Sequence, residues 1–497
     1  MTRKTEHWDV IVVGAGNAAH AAAVSARESG AARVLMIEKA PERLRGGNTH
    51  YSGGLFRVAF DNPEALLDLV PEVQAEVPDF LTGVSPYPAE AFWADLRRVT
   101  RGGVDPDLGE LLVSRSLETA SWMVAQGIRM EAAVSLAAIE YGGKVKWPSG
   151  AVIRAVDEGV GLSRMWFEIA RRHGIALRYQ TGAQQLIQDR SGRVCGVVVR
   201  DQEGITELSA GSVVLACGGF EANPEWRARY LRQPWDMAKV RGTAYNTGDG
   251  LRMALELGAL PFGHWSGNHG TPIDADAPPY GDRQLTDKTN RLSYPLGVMV
   301  NTDGDRFIDE GEDFQLYTYA KTGGAILLQP GHVAFQIFDA KVVELLEPRY
   351  YVTGTPLLAD TLDELIDKLP VVKARLKEIL VAYNAAARSV GFDPTVHDGL
   401  ATRGLTPDKS NWAQPLDSPP FRAYPVTGGI TFTFGGLRVD QNAQVLANDW
   451  TVIEGLYTCG EMVGGLFHHN YPGGSGLTSG VVFGRIAGRA AAESAAD

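Results

Sequence analysis

The segment with the clearest chemical potential is a glycine turn near the start of the chain. Gly14, Gly16 and Ala19 follow an apolar run at residues 8–13 and precede an alanine-rich segment that ends at Ser29. Gly14 permits a tight turn, Gly16 lets backbone approach a pyrophosphate, and the small Ala19 allows close packing of helix and strand. The helix N-terminus would then present free N–H groups to phosphates. The pattern predicts a dinucleotide-binding strand, turn and helix.

Two carboxylates extend this prediction to a particular cofactor. The apolar run 34–37 ends on Glu38, close to the spacing of a ribose-binding carboxylate, which disfavours a 2′-phosphate and therefore NADP. A later strand, residues 455–459, ends in Gly460 and Glu461, where a carboxylate can hold a ribityl chain. The chain has no second G-x-G-x-x-G for a nicotinamide and no C-x4-C pair, which disfavours a pyridine-nucleotide disulfide reductase. We therefore predict FAD.

Further turns of small and polar residues indicate more places where backbone approaches a ligand. They lie at residues 46–54, 216–219, 246–250 and 473–476. The last of these begins a helix, and its N–H groups would stabilise the negative charge that reduced flavin carries around N1 and O2. Several ligand-facing turns in one chain are more than a single nucleotide motif explains.

Composition limits the partners and the compartment. The chain has 497 residues, 44% of them hydrophobic, and a net charge of -12, which argues against a nucleic-acid partner. Its three cysteines form no C-x-x-C pattern, so we expect no disulfide framework, no zinc or iron-sulfur site and no metal, and a cytoplasmic location. Residues 1–7 are polar and contain no apolar leader, and no apolar run reaches the roughly 18 residues that span a bilayer.

The elements that must position these turns form an α/β fold. We predict a discontinuous Rossmann-like FAD-binding domain, residues 1–262 and 425–497, with an inserted α+β capping or substrate domain at 263–424. Hydrophobic periodicity predicts the individual elements. Helices are expected over 64–135, where the clearest run is 108–126 and stops at Gly127, over 361–389 and over about 476–490. Strands are expected in a meander of hairpins over 176–216 and in a hairpin over 298–308.

Motifs over nearly the whole chain resemble the fumarate reductase/succinate dehydrogenase flavoprotein family. They are residues 14–16, 46–49, 215–220, 247–250, 304–307, 435–437 and 460–461. Segments 47–57 and 469–478 most resemble FAD-dependent tricarballylate dehydrogenases, which oxidise tricarballylate to cis-aconitate. With the glycine turns, the resemblance predicts these cofactor contacts: Gly14, Gly16, Asn17, Ala18, Glu38, Lys39, Gly46, Gly47, Asn48, Thr49, Ser52, Gly53, Gly54, Ala183, Ala216, Gly218, Gly219, Asn246, Thr247, Asp249, Glu461, Gly474, Ser475, Gly476 and Leu477.

The resemblance also implies a mechanism. A proton α to a carboxylate is removed and a hydride passes from the neighbouring carbon to flavin N5. Arg306, in the Gly-x-Arg-Phe motif, is implied as the proton-transfer residue, with a relay to Asp309 or Glu310 because an arginine pKa of about 12.5 makes a poor base. From the residues alone, a solvated hairpin arginine is the favoured interpretation of Arg306. Its retention favours an enzyme over a pure electron-transfer subunit, the different class that we consider.

Two departures from the family pattern bear on the substrate. Tyr471 stands where members acting on fumarate or succinate have a substrate arginine, and Thr431 stands where a histidine is expected, which places plain succinate or fumarate in doubt. A tyrosine before Pro-Gly also occurs in ketosteroid dehydrogenases of the superfamily, where its hydroxyl polarises a carbonyl. A 3-ketosteroid is therefore the alternative substrate, and an enoate reductase resembling fumarate reductase is the alternative direction.

Polar residues around the last motif favour a substrate with several carboxylates. We expect Tyr471 to share one cavity with Arg57, Arg291, His468 and His469, with Arg306 opposite flavin N5. His269 lies near the family's substrate histidine, although a lone histidine is often structural. The expected catalytic residues are thus Arg306, Tyr471, His469, His269 and Arg57.

The attachment of FAD and the partners complete the predictions. Members with covalent FAD use a histidine in the segment matching residues 46–54, and His50 does not match that position cleanly, so we expect noncovalent FAD. The expected partners are a small carboxylic acid as substrate and a membrane or soluble protein as electron acceptor.

Overall fold

The computed structural model describes residues 6–496, so most of the polar segment 1–7 lies outside the described residues. The strands, in chain order, are β1 (Glu6–Val13), β2 (Val34–Ile37), β3 (Leu55–Phe56), β4 (Met130–Ala132), β5 (Ile139–Tyr141), β6 (Lys144–Lys146), β7 (Ile153–Ala155), β8 (Ala176–Arg178), β9 (Gly182–Gln188), β10 (Val194–Asp201), β11 (Gly204–Leu215), β12 (Lys239–Val240), β13 (Pro261–Asp274), β14 (Val298–Asn301), β15 (Val333–Phe338), β16 (Leu357–Ala359), β17 (Phe421–Leu437), β18 (Gln444–Leu446) and β19 (Val452–Thr458).

Five of the α-helices, α2 to α6, follow one another between β3 and β4, and most of the others are separated by strands. They are α1 (Asn17–Glu28), α2 (Val73–Glu76), α3 (Phe80–Gly83), α4 (Ala89–Val99), α5 (Pro106–Ser114), α6 (Ser116–Gln126), α7 (Val134–Ala137), α8 (Glu158–Arg172), α9 (Pro224–Trp226), α10 (Asp249–Glu256), α11 (Gln315–Leu327), α12 (Pro348–Tyr351), α13 (Leu362–Lys368), α14 (Lys373–Ala386) and α15 (Ser475–Ala496).

An eight-stranded sheet forms the nucleotide-binding half. Its main path is β18-β19-β11-β1-β2-β8, with β10 and β9 added beside β11. Strands β1, β2, β8, β11 and β19 run parallel, so their carboxyl ends share one edge. Gly14, Glu38, Ala216 and Gly460 follow four of these strands and therefore meet at that edge, where open α/β sheets bind their ligands. The α/β prediction is confirmed.

Helices α1 and α15 pack closely on this sheet because small residues face each other. A Cβ added at Gly484 would lie 2.6 Å from the carbonyl oxygen of Ala18, and one at Gly488 would overlap the backbone of Ala22. Alanines dominate the facing side of α1 and are fully buried there. This contact holds the N-terminus of α1, beside Gly14, against the C-terminal helix.

A six-stranded sheet forms the second half. Its path is β12-β17-β15-β14, with β13 and β16 also paired to β17. Strands β13 and β17 run antiparallel from the Pro261–Leu437 pair to the Asp274–Val426 pair, with a register shift between His264 and Asn268. The predicted domain boundaries fall inside these two long strands, so the division at 263–424 stays a prediction.

Several predicted elements differ in detail from the structure. The helical run 108–126 is broken at Arg115 into α5 and α6, although it ends at Gly127, whose φ of +103° suits glycine. The predicted meander holds for β9, β10 and β11, whereas β8 joins the parallel sheet beside β2. Strand β14 pairs with β15, and only an isolated bridge joins Val300 to Arg306. Within residues 6–496, no helix is long and apolar enough to cross a membrane.

Candidate active site

A large cavity opens at the carboxyl edge of the parallel strands. It holds about 1550 Å³ of space free of protein atoms, its open mouth included. Most of the predicted cofactor contacts line it. They are Gly14, Gly16, Asn17, Ala18, Glu38, Lys39, Gly47, Asn48, Thr49, Ser52, Ala183, Ala216, Gly218, Asn246, Asp249, Glu461, Gly476 and Leu477.

The remaining predicted contacts lie next to the cavity without lining it. They are Gly46, Gly53, Gly54, Gly219, Thr247, Gly474 and Ser475. Their neighbours explain the small residues: a Cβ at Gly46 would overlap Ser163 Oγ, and one at Gly219 would overlap Glu461 Oε1. The Ser475 hydroxyl is buried without a hydrogen-bond partner among the described residues. These positions shape the turns around the cavity.

One end of the cavity carries an aromatic and hydroxyl cluster around Tyr471. The Tyr471 hydroxyl hydrogen-bonds with that of Tyr319, which α11 supplies. The ring of His269, on β13, lies 5.0 Å from the Tyr471 ring and 4.7 Å from the Tyr319 ring. Phe432 stacks on His269 at 5.2 Å and lines the cavity beside Tyr471. His269 and Tyr319 thus lie directly behind the lining.

Burial sets the protonation of this cluster. It raises the pKa of both Tyr471 and Tyr319, so the two hydroxyls stay protonated at neutral pH. It also lowers the pKa of His269 well below its usual range, and the charge of Arg241 lowers it further. Both ring nitrogens of His269 lack a hydrogen-bond partner among the described residues. The cluster therefore offers neutral donors and a neutral imidazole.

Arg241 is a cavity residue that the sequence analysis did not identify. It follows β12, and its side chain donates from Nε to Thr431 Oγ1 at 3.0 Å and from Nη1 to the Tyr51 carbonyl at 3.3 Å. Its charge acts on Tyr471, Tyr319 and His269. No spacing rule pointed to Arg241, because strand pairing with β17 alone brings it to the cavity.

Two predicted substrate cations are buried elsewhere. The Arg57 side chain is fully buried and donates to the Gly473 carbonyl at 2.9 Å and to the Tyr87 and Tyr317 hydroxyls, with Asp95 at 3.7 Å. Arg291 is fully buried too and pairs with Asp274. Neither lines the cavity. Internal acceptors hold most of each guanidinium, and Arg57 Nη2 and Arg291 Nε are buried without a hydrogen-bond partner among the described residues. The expectation that both meet Tyr471 in one cavity is corrected.

Arg306 lies inside the cap, away from the cavity lining. Its guanidinium forms a two-contact pair with Glu310 and donates to the Pro407 carbonyl at 2.6 Å. Burial alone would lower its pKa, but the Glu310 carboxylate outweighs burial and raises it. Of the two expected relay partners, Asp309 instead accepts from the Ser410 N–H. The expected place opposite flavin N5 is therefore not supported by this geometry.

His468 and His469 also lie outside the cavity lining. They meet His264 of β13, whose ring stacks on His468 at 3.9 Å. They nevertheless belong to the segment between Phe467 and Tyr471, both of which line the cavity. Of the residues expected to contact substrate, Tyr471 alone is placed in the described lining.

Comparison with known proteins decides the family. The model of a family described as an FAD binding domain matches residues 9–477. The chain belongs to this FAD-binding family.

Its relatives include enzymes of two kinds. A probable fumarate reductase of Shewanella frigidimarina is 30% identical over 508 residues, covering 99% of this chain and 76% of the relative. A 3-oxosteroid 1-dehydrogenase of Mycobacterium tuberculosis is 26% identical over 563 residues, covering 97% of this chain and 98% of that protein. A flavocytochrome c3 fumarate reductase in its open conformation has a TM-score of 0.73 at 27% identity, over 99% of this chain and 79% of that one.

Membership of the FAD-binding family confirms several expectations. The chain is an FAD-dependent oxidoreductase, and its likeness to fumarate reductase flavoproteins is established at family level. The enzyme class, oxidoreductases acting on CH–CH groups, is confirmed as well. The likeness to tricarballylate dehydrogenases and the noncovalent attachment of FAD stay predictions. His50 is buried and does not line the cavity.

The cavity fits the adenosine end of FAD. One Glu38 oxygen accepts from the Ala40 N–H at 2.8 Å, which leaves the second oxygen for a ribose hydroxyl. Burial raises the pKa of Glu38, whereas hydrogen bonds from ribose hydroxyls would lower it by favouring the charged form. Lys39 donates to Thr247 at 2.6 Å and pairs with Asp249, which fixes the side of the cavity formed by α10.

The cavity also fits the ribityl chain. Glu461 lines the cavity and accepts from the Thr433 N–H at 2.6 Å. Behind it, Glu221 accepts from the side-chain amides of Asn48 at 2.7 Å and Asn246 at 2.6 Å, both of which line the cavity. Burial and then the facing Glu461 carboxyl raise the pKa of Glu221, so this pair holds a proton. Glu221 was not identified from the sequence.

Proposed function

We propose that this oxidoreductase forms a C=C bond next to a carboxylate, with tricarballylate oxidised to cis-aconitate as the first candidate reaction. The observation that carries the proposal is the position of Arg241. Of the described residues that line the cavity, only Lys39 and Arg241 are cationic, and Lys39 is paired with Asp249. Arg241 is therefore the cation available to a substrate, and it lies at the end where Tyr471 and Phe432 line the cavity.

Arg241 and Tyr471 together suit the charge that develops during dehydrogenation. Removing a proton α to a carboxylate places negative charge on the carboxylate oxygens, which a guanidinium and a neutral hydroxyl stabilise. Tyr471 stays protonated because burial raises its pKa, so it donates to such an oxygen. FAD, when bound, would accept the hydride at N5. Tyr471 and Arg241 would hold the substrate while the proton and the hydride leave it.

His269 is our candidate for the proton acceptor. It is neutral because burial lowers its pKa, and neither ring nitrogen has a hydrogen-bond partner among the described residues. Its ring lies 4.7 Å from that of Tyr319 and 5.0 Å from that of Tyr471, and these two hydroxyls hydrogen-bond with each other. The proton would reach His269 once a ring nitrogen forms a hydrogen bond with one of these hydroxyls, which would pass the proton on while taking one from the substrate side. The role that the family resemblance implies for Arg306 stays an untested alternative. A protein that accepts the electrons from FAD remains part of the proposal.

A second candidate, dehydrogenation of a 3-ketosteroid, is favoured by a specific observation. Phe432, Phe434, Phe467 and Leu466 line the same end of the cavity as Tyr471. Such a surface suits an apolar ring system, and the Tyr471 hydroxyl would polarise its single carbonyl. The same groups would also serve an enoate reductase, since protonation and hydride transfer would then run in the opposite direction.

The experiment is anaerobic reduction of the bound flavin by a set of substrates, followed spectroscopically. We would compare tricarballylate, succinate, citrate and a 3-ketosteroid with wild type, Arg241→Gln and Tyr471→Phe. Loss of one preorganised donor lowers kcat by about 10²–10³-fold, so both variants should lose that much activity with tricarballylate while retaining FAD. The matched control is Arg252→Gln on α10, whose partner is Glu256.

The outcomes separate the candidates. Reduction by tricarballylate that depends on both Arg241 and Tyr471 supports the proposal. Turnover of the steroid alone, with full activity in Arg241→Gln, would replace it with the second candidate. No reduction by any compound of the set would rule out tricarballylate and indicate a different acid.

A further inference from the structure

Three histidines meet beside the segment that carries Phe467 and Tyr471 into the cavity. His264, on β13, and His469 are 205 positions apart in the chain. The ring of His264 lies 3.9 Å from that of His468 and 5.0 Å from that of His469, and the last two rings are 4.3 Å apart. One ring nitrogen of each residue lies within 4.8 Å of the others. His264 lies just before a register shift in the pairing of β13 with β17.

The state of these rings suits metal binding. His468 Nδ1 is buried and has no hydrogen-bond partner among the described residues. Imidazole binds metal ions in its neutral form. The charged group acting on His469 is Arg101.

We propose that His264, His468 and His469 bind one divalent transition-metal ion, such as Zn²⁺ or Ni²⁺. Imidazole ligands suit these ions, whereas Mg²⁺ and Ca²⁺ prefer oxygen. Zn–N bonds of about 2.0–2.1 Å in a tetrahedral centre require nitrogen atoms about 3.4 Å apart. The histidine nitrogens, now within 4.8 Å of one another, thus need to approach by up to roughly 1.4 Å. The rings of His264 and His468, which stack at an interplanar angle of 18°, also have to rotate so that both in-plane lone pairs point at the ion. The exposed His469 leaves a position for water.

Metal binding would change one hydrogen bond in the cluster. His264 Nδ1 accepts from the His469 N–H at 3.1 Å. A neutral imidazole has one free lone pair, so His264 gives up this hydrogen bond when it binds an ion. The bond to the ion then replaces it as the link between β13 and the segment that carries Phe467 and Tyr471 into the cavity. The site is independent of the proposed substrate.

The test is isothermal titration calorimetry of the FAD-loaded protein with ZnCl₂ and, separately, NiCl₂. We expect one ion per chain. His264→Gln and His469→Gln should each weaken binding at least about tenfold, since even outer partners of metal ligands contribute that much. The matched control, His173→Gln, removes a histidine that contacts Gln126 far from the cluster in sequence and should bind like wild type.

The visible absorbance of the flavin shows whether each variant keeps its fold and cofactor. If wild type shows no saturable binding, the proposal is wrong. It is equally wrong if the two cluster variants, with flavin retained, bind zinc as tightly as His173→Gln, because the ion would then occupy another place.

Discussion

The two halves of the molecule build their parts of the site in different ways. The nucleotide half uses backbone: glycine turns at the ends of β1, β11 and β19 line the cavity with few charged groups. The capping half uses side chains, and its interior holds charged groups such as Arg306, Glu310 and Lys409. A site built from backbone can be recognised from short local motifs in the sequence. A site built from side chains depends on residues that only folding brings together.

This difference also separates what each half contributes to the reaction. Turns and strand ends recognise a cofactor that many proteins share. In our proposal, substrate choice depends on Arg241 and Tyr471 and on Tyr319 and His269 behind them. These residues come from four separate places: the residue after β12, the segment before α15, α11 and β13. We expect changes at these places to affect the substrate more than FAD. We therefore expect substitutions of buried charges in the cap to change the free energy of unfolding, and substitutions at the glycine turns of the nucleotide half to change FAD binding.

The largest effect is expected from breaking the Arg306–Glu310 pair. Both side chains are buried, and removing one partner of such a pair costs about 3–5 kcal/mol of unfolding free energy because the other charge stays unpaired. Arg306→Met should lose that much stability in urea unfolding. The double variant Arg306→Met/Glu310→Leu should recover most of it, because neither charge of the pair remains. The part not recovered reflects the Met299 N–H, which loses its acceptor, and Lys409, which loses the nearby carboxylate.

The double variant also distinguishes the two roles of Arg306. If the arginine is structural, the folded double variant reduces its flavin with substrate at close to the wild-type rate. If Arg306 transfers the proton, as the resemblance implies, the same protein stays several orders of magnitude slower despite its recovered stability. The rate per bound flavin is the deciding measurement.

The sequence was sufficient to predict the ligand-binding turns of the nucleotide half, because these turns are local. The turn after β1, the carboxylate after β2 and the Gly460-Glu461 strand end are local motifs, and each lies at the cavity edge. Backbone conformation at Gly14, with φ of +116°, restricts the residue type, so the constraint is visible in the sequence.

The end of the cavity around Tyr471 could not be predicted as well, because its chemistry depends on long-range contacts. Arg241 reaches the cavity through pairing of β12 with β17, and Tyr319 meets Tyr471 across 152 positions. Residue type alone did not distinguish Arg241 from Arg57, whose guanidinium donates to acceptors inside the protein. The histidine cluster likewise requires the β13 register.

The second prediction tests the backbone nature of the nucleotide half. A Cβ at Gly14 would overlap the Ala216 carbonyl oxygen. Overpacking costs about 1–3 kcal/mol and positive φ about 1–2 kcal/mol more, so Gly14→Ala should lose most of its FAD on purification, measured as flavin per chain. Gly30→Ala is the matched control, since Gly30 has φ of +102° with nothing within 4 Å of an added Cβ. Equal flavin content in both variants would contradict the close approach.

The third prediction concerns Lys409, a buried cation of the cap. Its ammonium donates to the Gly297 carbonyl at 2.7 Å, and burial lowers its pKa to about 8 although Glu310 favours the charged form. An unfolded lysine has a pKa of about 10.4. Between these values the unfolded chain binds more protons than the folded one, so the free energy of unfolding rises with pH, by at most about 3 kcal/mol. Below pH 8 both states are protonated and this dependence vanishes.

The measurement compares urea unfolding of wild type and Lys409→Met from pH 7 to pH 10. The stability of wild type relative to the variant should increase over this range, because the methionine carries no proton to lose. Lys377→Met, which removes an exposed lysine on α14, should leave the difference from wild type nearly constant. A constant difference for Lys409→Met as well would mean that Lys409 keeps an ordinary pKa, and the cap interior would then accommodate its charge as readily as water does.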